Sequence, residues 1–364
     1  MAGLVALWPG GHHGGRQEAF GGPTLAAEVT AARTVRCPGP ARQRCRVIDV
    51  RVAGARGGSR TASIDLGPLE ATPGVGPGDR VRVRASDGPP GSGPSYGFVD
   101  VDRRAPMLWL ALAFGLLGIV VARWRGLLAL AGVALSVLLV VAFVIPAMLD
   151  GSSPLLVSLV GSLAVMFVTL ALTYGVGAQS LAAATGIGIS LLLATLLGSS
   201  VAGLAHLDGH TSELQPLLAL GQHGLSLQGV VVAGMVIGAL GVLTDMAVSQ
   251  ASSVTALRRA NPDLGPRALY RGAFAIGRDH LSATIHTLVL AYVGASLPLL
   301  LVLEDAHVGL TDALNGQLVA EPVVATLVGS IALICAVPLT TALAAALVAR
   351  VPAAALSDAH GHAH

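Results

Sequence analysis

The sequence predicts an all-α polytopic membrane bundle of about seven transmembrane helices, preceded by a small extracytoplasmic β-barrel-like domain. Three observations lead to this fold class. The 364 residues are 53% apolar and only 12% charged, with a mean hydropathy of +0.73; soluble domains carry about twice that charge fraction. Residues 1–104 are polar and rich in Gly and Pro, whereas residues 105–350 are long apolar runs separated by short polar loops. Arginine supplies all 22 basic residues, and within the apolar part it falls in alternate loops. Aromatic residues make up only 4% of the chain, too few for stacking platforms for bases. Net charge is only +2, so no nucleic-acid partner is expected.

Residues 1–23 open with "MAGLVALWPGG", which is too short for an export signal. Such a signal needs about 7–15 apolar residues behind a basic stretch. The segment is read as the remnant of a signal or transmembrane segment, or as disordered chain. On this reading Met1 is an internal start, with a spanning segment upstream.

Residues 24–104 hold runs that alternate apolar and polar residues: "RCRVIDVRVAG", "RTASIDLG" and "GDRVRVRAS". Gly/Pro clusters separate them, as expected of short strands. A β-rich domain of OB or barrel-sandwich type follows. Cys37 and Cys45 bracket "PGPARQR". Outside the cytoplasm two nearby cysteines favour a disulfide over two free thiols, and two cysteines alone make no zinc site. Cys335 lies in an apolar run and reads as a small core residue.

A helix needs about 20 apolar residues to cross a bilayer. Seven runs qualify, near 105–122, 126–149, 154–174, 180–204, 229–248, 281–303 and 322–349. Arg123 and Arg125 separate the first two. Arg258, Arg259, Arg267, Arg271 and Arg278 lie between or at the edge of the fifth and sixth, and Arg350 ends the seventh. The alternate loops, 205–228 and 304–321, carry no arginine. Arginine-bearing loops face the cytoplasm, so residues 24–104 are expected outside a cell membrane and the C-terminus inside. Residues 351–364 form a histidine-containing cytoplasmic tail, expected to be disordered. The bilayer is the expected partner, together with a second copy of the chain or a paired membrane subunit.

The fifth and sixth runs carry the polar residues that need an explanation. Gly234, Gly238, Gly241, Asp245, Ser249 and Ser252 recur at spacings of three and four, which places them on one helix face. Small residues at such spacing let helices approach closely, so Gly234, Gly238 and Gly241 are expected to pack. Asp245 would then face protein or a wet cavity. An aspartate at a helix centre costs about 2.5–3.5 kcal/mol on insertion scales, and such residues mark functional sites.

The loop "RRANPDLGPRALYRGAFAIGRD" should stop one helix at Asn261-Pro262 and open another at Gly265-Pro266. Its Leu269/Ala273/Ile276 face and its Arg267 and Arg271 predict a short amphipathic helix resting on headgroups. His280, Thr284 and Thr287 form a small polar stripe on the sixth run, with Asp279, Ser282 and His286 about 100° away. If the two spans are neighbours, Asp245 and His286 lie at similar depth. Two readings stay open. Either Arg278 pairs with Asp245 or Asp279 and pins the helices together, or Asp245, Asp279 and a histidine take up a proton or cation.

The stretches "GALGVLTDMAVSQASSV" and "NPDLGPRALYRGAFAIGRDHLSATIHTLVLAYVGASLPLLL" resemble the YibE/F-like family of bacterial multi-pass membrane proteins. The resemblance is close over roughly residues 230–303 and looser over the other spans. It implies an exported region ahead of these spans, itself preceded by another span. The family pattern carries asparagine where this chain has His286, which shifts weight to Asp245, Arg278 and Asp279. The family implies no settled substrate.

Other polar groups promise less. His206, Asp208, His210 and Glu213 match no metal spacing, and the tail "DAHGHAH" binds metal by composition at best. No G-x-S-x-G, H-E-x-x-H or P-loop occurs, and neither "GRD" nor "LTD" supplies the Gly-x-Gly-Asp of an intramembrane aspartyl protease. No enzyme activity, catalytic residue, cofactor or metal centre is expected. The features point to a permease whose polar cluster (Asp245, Ser249, Arg278, Asp279, His280, His286 and Thr287) handles a proton or small cation. The other reading is a non-transporting scaffold or envelope-complex subunit acting through the exported β domain.

Overall fold

The computed structural model describes residues 3–4, 7–9, 24–38, 43–53, 59–86, 94–211 and 224–352. The expected signal remnant, the histidine tail and Glu213 fall wholly or largely outside these residues. The chain forms two compact units, His12–Val120 and Met1–Gly11 with Val121–His364.

The first unit is built on an antiparallel sheet. Its strands are β1 (Thr24–Arg36), β2 (Arg44–Ala53), β3 (Ser59–Pro68), β4 (Arg80–Ser86) and β5 (Ser95–Val101), in the order β3-β2-β1-β4-β5. Period-two alternation buries Val29, Ile48, Val50, Val52, Ile64, Val81 and Val83 on one face. Register shifts between Val29 and Ala31, Arg46 and Val47, and Arg82 and Val83 add twist and curl the sheet into a half-barrel. The expected turn before β4 forms: Gly78 takes φ 92°, which suits a residue without Cβ, and the Gly76 N–H donates to Asp79 Oδ2 at 2.7 Å. A disulfide joins Cys37 to Cys45 across the β1–β2 hairpin, with the Cα atoms 4.9 Å apart.

The helices are α1 (Arg104–Leu139), α2 (Ile145–Leu149), α3 (Pro154–Tyr174), α4 (Ala178–Leu204), α5 (Leu227–Ala260), α6 (Pro266–Asp305), α7 (Leu310–Asn315) and α8 (Gln317–Val348). A π-helical turn at Val140–Val144 joins α1 to α2. Among the described residues six helical stretches are long and apolar enough to cross a membrane, against the seven expected. The difference lies at the start. Arg104–Leu149 counts as one 46-residue helix, but Arg123 breaks it with φ 53° and ψ −132°. That break falls in the loop expected between the first two spans.

In the second unit α4, α5 and α8 pack around one another, with α3 and α6 against α5. The α4–α8 contact rests on small residues every fourth position. Gly186, Ser190, Ala194, Gly198 and Ala202 of α4 are all buried, as are Ala332, Ala336, Thr340 and Ala344 of α8. Without bulky side chains the backbones approach closely; a Cβ at Gly186 would overlap the Thr340 hydroxyl.

Candidate functional site in the α5–α6 hairpin

The α5–α6 turn forms as its residues dictate. Asn261 ends α5, and Pro266 occupies the first turn of α6. The Arg258 guanidinium donates to the carbonyls of Pro262 and Leu264 and so ties the turn to the end of α5. The short amphipathic helix expected on headgroups is not separate: α6 runs unbroken for 40 residues. Its Leu269 and Ala273 are fully buried, while Ile276 is exposed.

The two helices run antiparallel, and three contacts fix their register. Near the arginine-bearing end Gly277 of α6 meets the Gln250 side chain of α5. Farther along, His280 Nε2 lies 3.6 Å from Asp245 Oδ2, and the Tyr292 hydroxyl reaches Gly238. The Asp245–His280 separation exceeds ordinary hydrogen-bond range. It is a carboxylate–imidazole contact that gains charge attraction when the ring is protonated. Both side chains are accessible, Asp245 at 68% and His280 at 42%.

Several expected contacts are replaced. His286 does not meet Asp245, because it lies more than one turn beyond His280; its Nδ1 sits 2.7 Å from the Ser282 carbonyl of its own helix. Arg278 and Asp279 are exposed, and neither forms an ion pair within 4.0 Å among the described residues, so the expected Arg278 pair to Asp245 or Asp279 is absent. The Thr287 hydroxyl donates to the Ala283 carbonyl at 3.0 Å. Ser249 is half-buried, one turn beyond Asp245.

Gly234, Gly238 and Gly241 do share a face with Asp245, but it is not a close-packed one. A Cβ at Gly234 or Gly241 would meet nothing within 4 Å, and only Gly238 has a near neighbour, Tyr292 Oη at 3.1 Å. The packing face of α5 is the opposite one, carrying Leu243, Met246, Ala247, Gln250 and Val254. These larger residues fill the space against α4 and α8, which leaves the glycine stripe facing clefts. One cleft, of about 420 Å³, is bordered by Gly241 and Thr244 together with Ser136, Gly161 and Thr169.

A second set of polar residues escaped the sequence reading. Gln250 is 1% exposed. Its Oε1 accepts a hydrogen bond from Thr341 Oγ1 of α8 at 2.8 Å, and its amide fills the space left by Gly277. Nearby on the same bundle, Gln179 Nε2 of α4 donates to Ser252 Oγ of α5 at 2.7 Å. Ser190 and Thr340 are buried with hydroxyl oxygens that have no hydrogen-bond partner among the described residues. The available signal was Gln250 itself, an amide five residues past Asp245 in a helix of apolar residues.

At the other end of the bundle, Asp208 accepts hydrogen bonds from the His210 backbone and from the Gln317 side chain at the start of α8. The His210 N–H, first, holds its carboxyl below the usual carboxylate range. No three His, Cys, Asp or Glu side chains gather to hold a metal ion among the described residues.

The chain matches the family described as YibE/F-like protein over residues 110–350. It belongs to the YibE/F-like family. No curated protein and no solved structure matches it. In this YibE/F-like protein the matched region takes in the whole α5–α6 hairpin, the Gln250–Thr341 contact and the α4–α8 seam. The half-barrel lies ahead of it.

Proposed function

We propose that this YibE/F-like protein is a multi-pass membrane permease, not an enzyme, and that it moves a proton or small cation along the α5–α6 seam. The observation that carries this reading is the Asp245–His280 contact at 3.6 Å. An imidazole is a proton carrier by its chemistry, and a carboxylate beside it offers oxygen next to nitrogen to a cation. Both remain accessible, each on a long apolar helix, where an ionisable group without a task is costly. Residues 24–104 lie outside the cell and the C-terminus inside. The arginine pattern supports this, as does the Cys37–Cys45 disulfide, which suits an oxidising compartment.

Purified protein in liposomes, assayed for uptake of protons and a panel of metal cations, tests the proposal. Asp245→Asn should abolish uptake while the protein inserts and elutes as wild type. Unchanged uptake in that variant removes the seam from the pathway.

One observation favours a second reading. The strand order β3-β2-β1-β4-β5 is that of a five-stranded OB-type barrel opened between β3 and β5, a fold that commonly binds extended partners. As a scaffold acting through this domain, the protein would lose its cellular phenotype on deletion of residues 20–100 and tolerate Asp245→Asn.

A further inference from the structure

We propose that the cleft between α1, α3 and α5 binds a neutral, lipid-soluble molecule, an aliphatic chain that carries a carbonyl oxygen into the middle of the bilayer. The site stands apart from the permease reading, since it uses neither Asp245 nor His280. Its volume is about 420 Å³, and α1 with its π-helical turn, α3 and α5 supply its walls. Two close contacts bound the gap between α1 and α3. At one end a Cβ on Gly132 would sit 3.6 Å from Thr169 Cγ2; at the other a Cβ on Gly161 would overlap Val144, 2.5 Å from its Cγ2. Along α3 these contacts lie about 12 Å apart at 1.5 Å per residue. Between them Val140, on the π-helical turn, and Val165 line the gap, and such turns recur at functional sites. On α5 the wall is opened by Gly241, where an added Cβ would meet nothing within 4 Å.

The hydroxyls decide what the cleft takes. A serine or threonine inside an apolar helix commonly donates to the carbonyl one turn back. Ser136 does so to Gly132 at 2.7 Å and Thr169 to Val165 at 2.9 Å. Ser162 does not: it is 2% exposed, and its hydroxyl has no hydrogen-bond partner among the described residues. Thr244, half-buried on α5, lines the same cleft and makes none among them either. An unmade hydrogen bond in hydrocarbon is costly, and water settles poorly against so apolar a lining. A ligand carbonyl accepts from Thr244, the more open of the two, or from Ser162. A phospholipid ester cannot be that acceptor. Ser162 lies in the middle third of α3, a 21-residue helix about 31 Å long, which matches the thickness of the hydrocarbon core; ester groups stay at its edge. An ionised fatty acid is excluded by the cost of a charge at that depth.

The test uses the full chain in liposomes and a long-chain aliphatic ketone bearing a photoactivatable diazirine, with cross-links mapped by mass spectrometry. Unlabelled ketone and the alkane of equal length compete at matched membrane concentrations. Cross-links should concentrate in residues 136–144, 161–169 and 237–244. The ketone should compete about tenfold better than the alkane, the worth of about one hydrogen bond. Gly241→Leu puts a side chain into open space and should abolish these cross-links while the protein elutes as wild type. Val165→Phe fills the cleft from α3 should Gly241→Leu fail to insert. Ser162→Ala with Thr244→Val should keep the cross-links and bring ketone and alkane to parity. Cross-links spread evenly over the lipid-facing helices, or indifferent to the filled cleft, would mean a groove wetted by bulk lipid only and would overturn the proposal. Equal competition by ketone and alkane in the unaltered protein, or a ketone preference that survives the double variant, would overturn it as well.

Discussion

Gly277 is glycine because of Gln250, not because of its backbone. It sits inside a regular helix, and an added Cβ would overlap the Gln250 amide, which is itself fixed by Thr341 at 2.8 Å. Gln250 as a whole is 1% exposed, so the amide has no solvent to swing into. Gly277→Ala should therefore destabilise the protein by about 1–3 kcal/mol, the usual cost of overpacking, read as a lowered thermal midpoint in detergent. Gln250→Ala should also destabilise, through a lost hydrogen bond and a void. The double variant should cost less than the sum of the two, since removing the amide relieves the overlap. Equal additivity would mean that the two side chains do not share the space. This contact could not be read from the sequence, because Gln250, Gly277 and Thr341 sit on three helices whose rotation about their axes is set by packing. The pairing of Asp245 with His280 instead of His286 has the same origin. Both histidines were legible as candidates, and helix phase chose between them.

At the scale of elements the sequence was most informative where chemistry is local. Turn residues fixed the β4 start at Gly78–Asp79, the helix stop at Asn261 and the start at Pro266, and apolar alternation marked β2, β3 and β4. It misled where one spacing serves two purposes. Small residues at every third or fourth position predict a face of low bulk. That face packs on α4 and α8 at Gly186 and Thr340, but borders clefts on α5 at Gly234 and Gly241. Which outcome occurs depends on the opposite face of the same helix, and on α5 that face offers Leu243, Met246 and Gln250 to the core. The β1–β2 hairpin carries a prediction of its own. Its disulfide spans a sequence separation of 8, and closing so short a loop is worth about 2–3 kcal/mol in the chain-entropy account. Cys37→Ala with Cys45→Ala should lower the stability of the half-barrel by that amount, seen as faster proteolysis within residues 24–104 of the intact protein. Cleavage of the helical region should not change. Unaltered proteolysis of the half-barrel would mean that the hairpin is held by its ladder alone.

For the molecule as a whole, the decisive quantity is how often the chain crosses the bilayer. A 46-residue helix from Arg104 to Leu149 would be about 70 Å long at 1.5 Å per residue, more than twice the roughly 30 Å of a hydrocarbon core. A single crossing would leave many apolar residues in water: Trp109, Leu110, Leu116, Leu117, Val120 and Val121 are all exposed within the protein itself. Leaving one such side chain in water in place of an apolar surrounding costs about 1.5–3 kcal/mol. Two crossings hinged at Arg123 avoid this. They place the arginines at 123 and 125 on the side that also holds Arg258, Arg259 and Arg271, in line with the bias of cytoplasmic loops. The two alternatives differ in a parity that can be measured. With two crossings, Ser86 before α1 and Ser153 after α2 lie on one face of the membrane, and Asp263 in the α5–α6 turn on the other. With one crossing, Ser86 and Ser153 lie on opposite faces. Impermeant thiol labelling of Ser86→Cys, Ser153→Cys and Asp263→Cys on the Cys335→Ala background should find the first two reactive from outside intact cells and the third only after the membrane is opened. Reaction of Ser153→Cys from the cytoplasmic face alone would make Arg104–Leu149 a single crossing and reverse every helix after it relative to the half-barrel. Arg258 and Arg259 would then lie outside, and the positive-inside argument would fail for this chain.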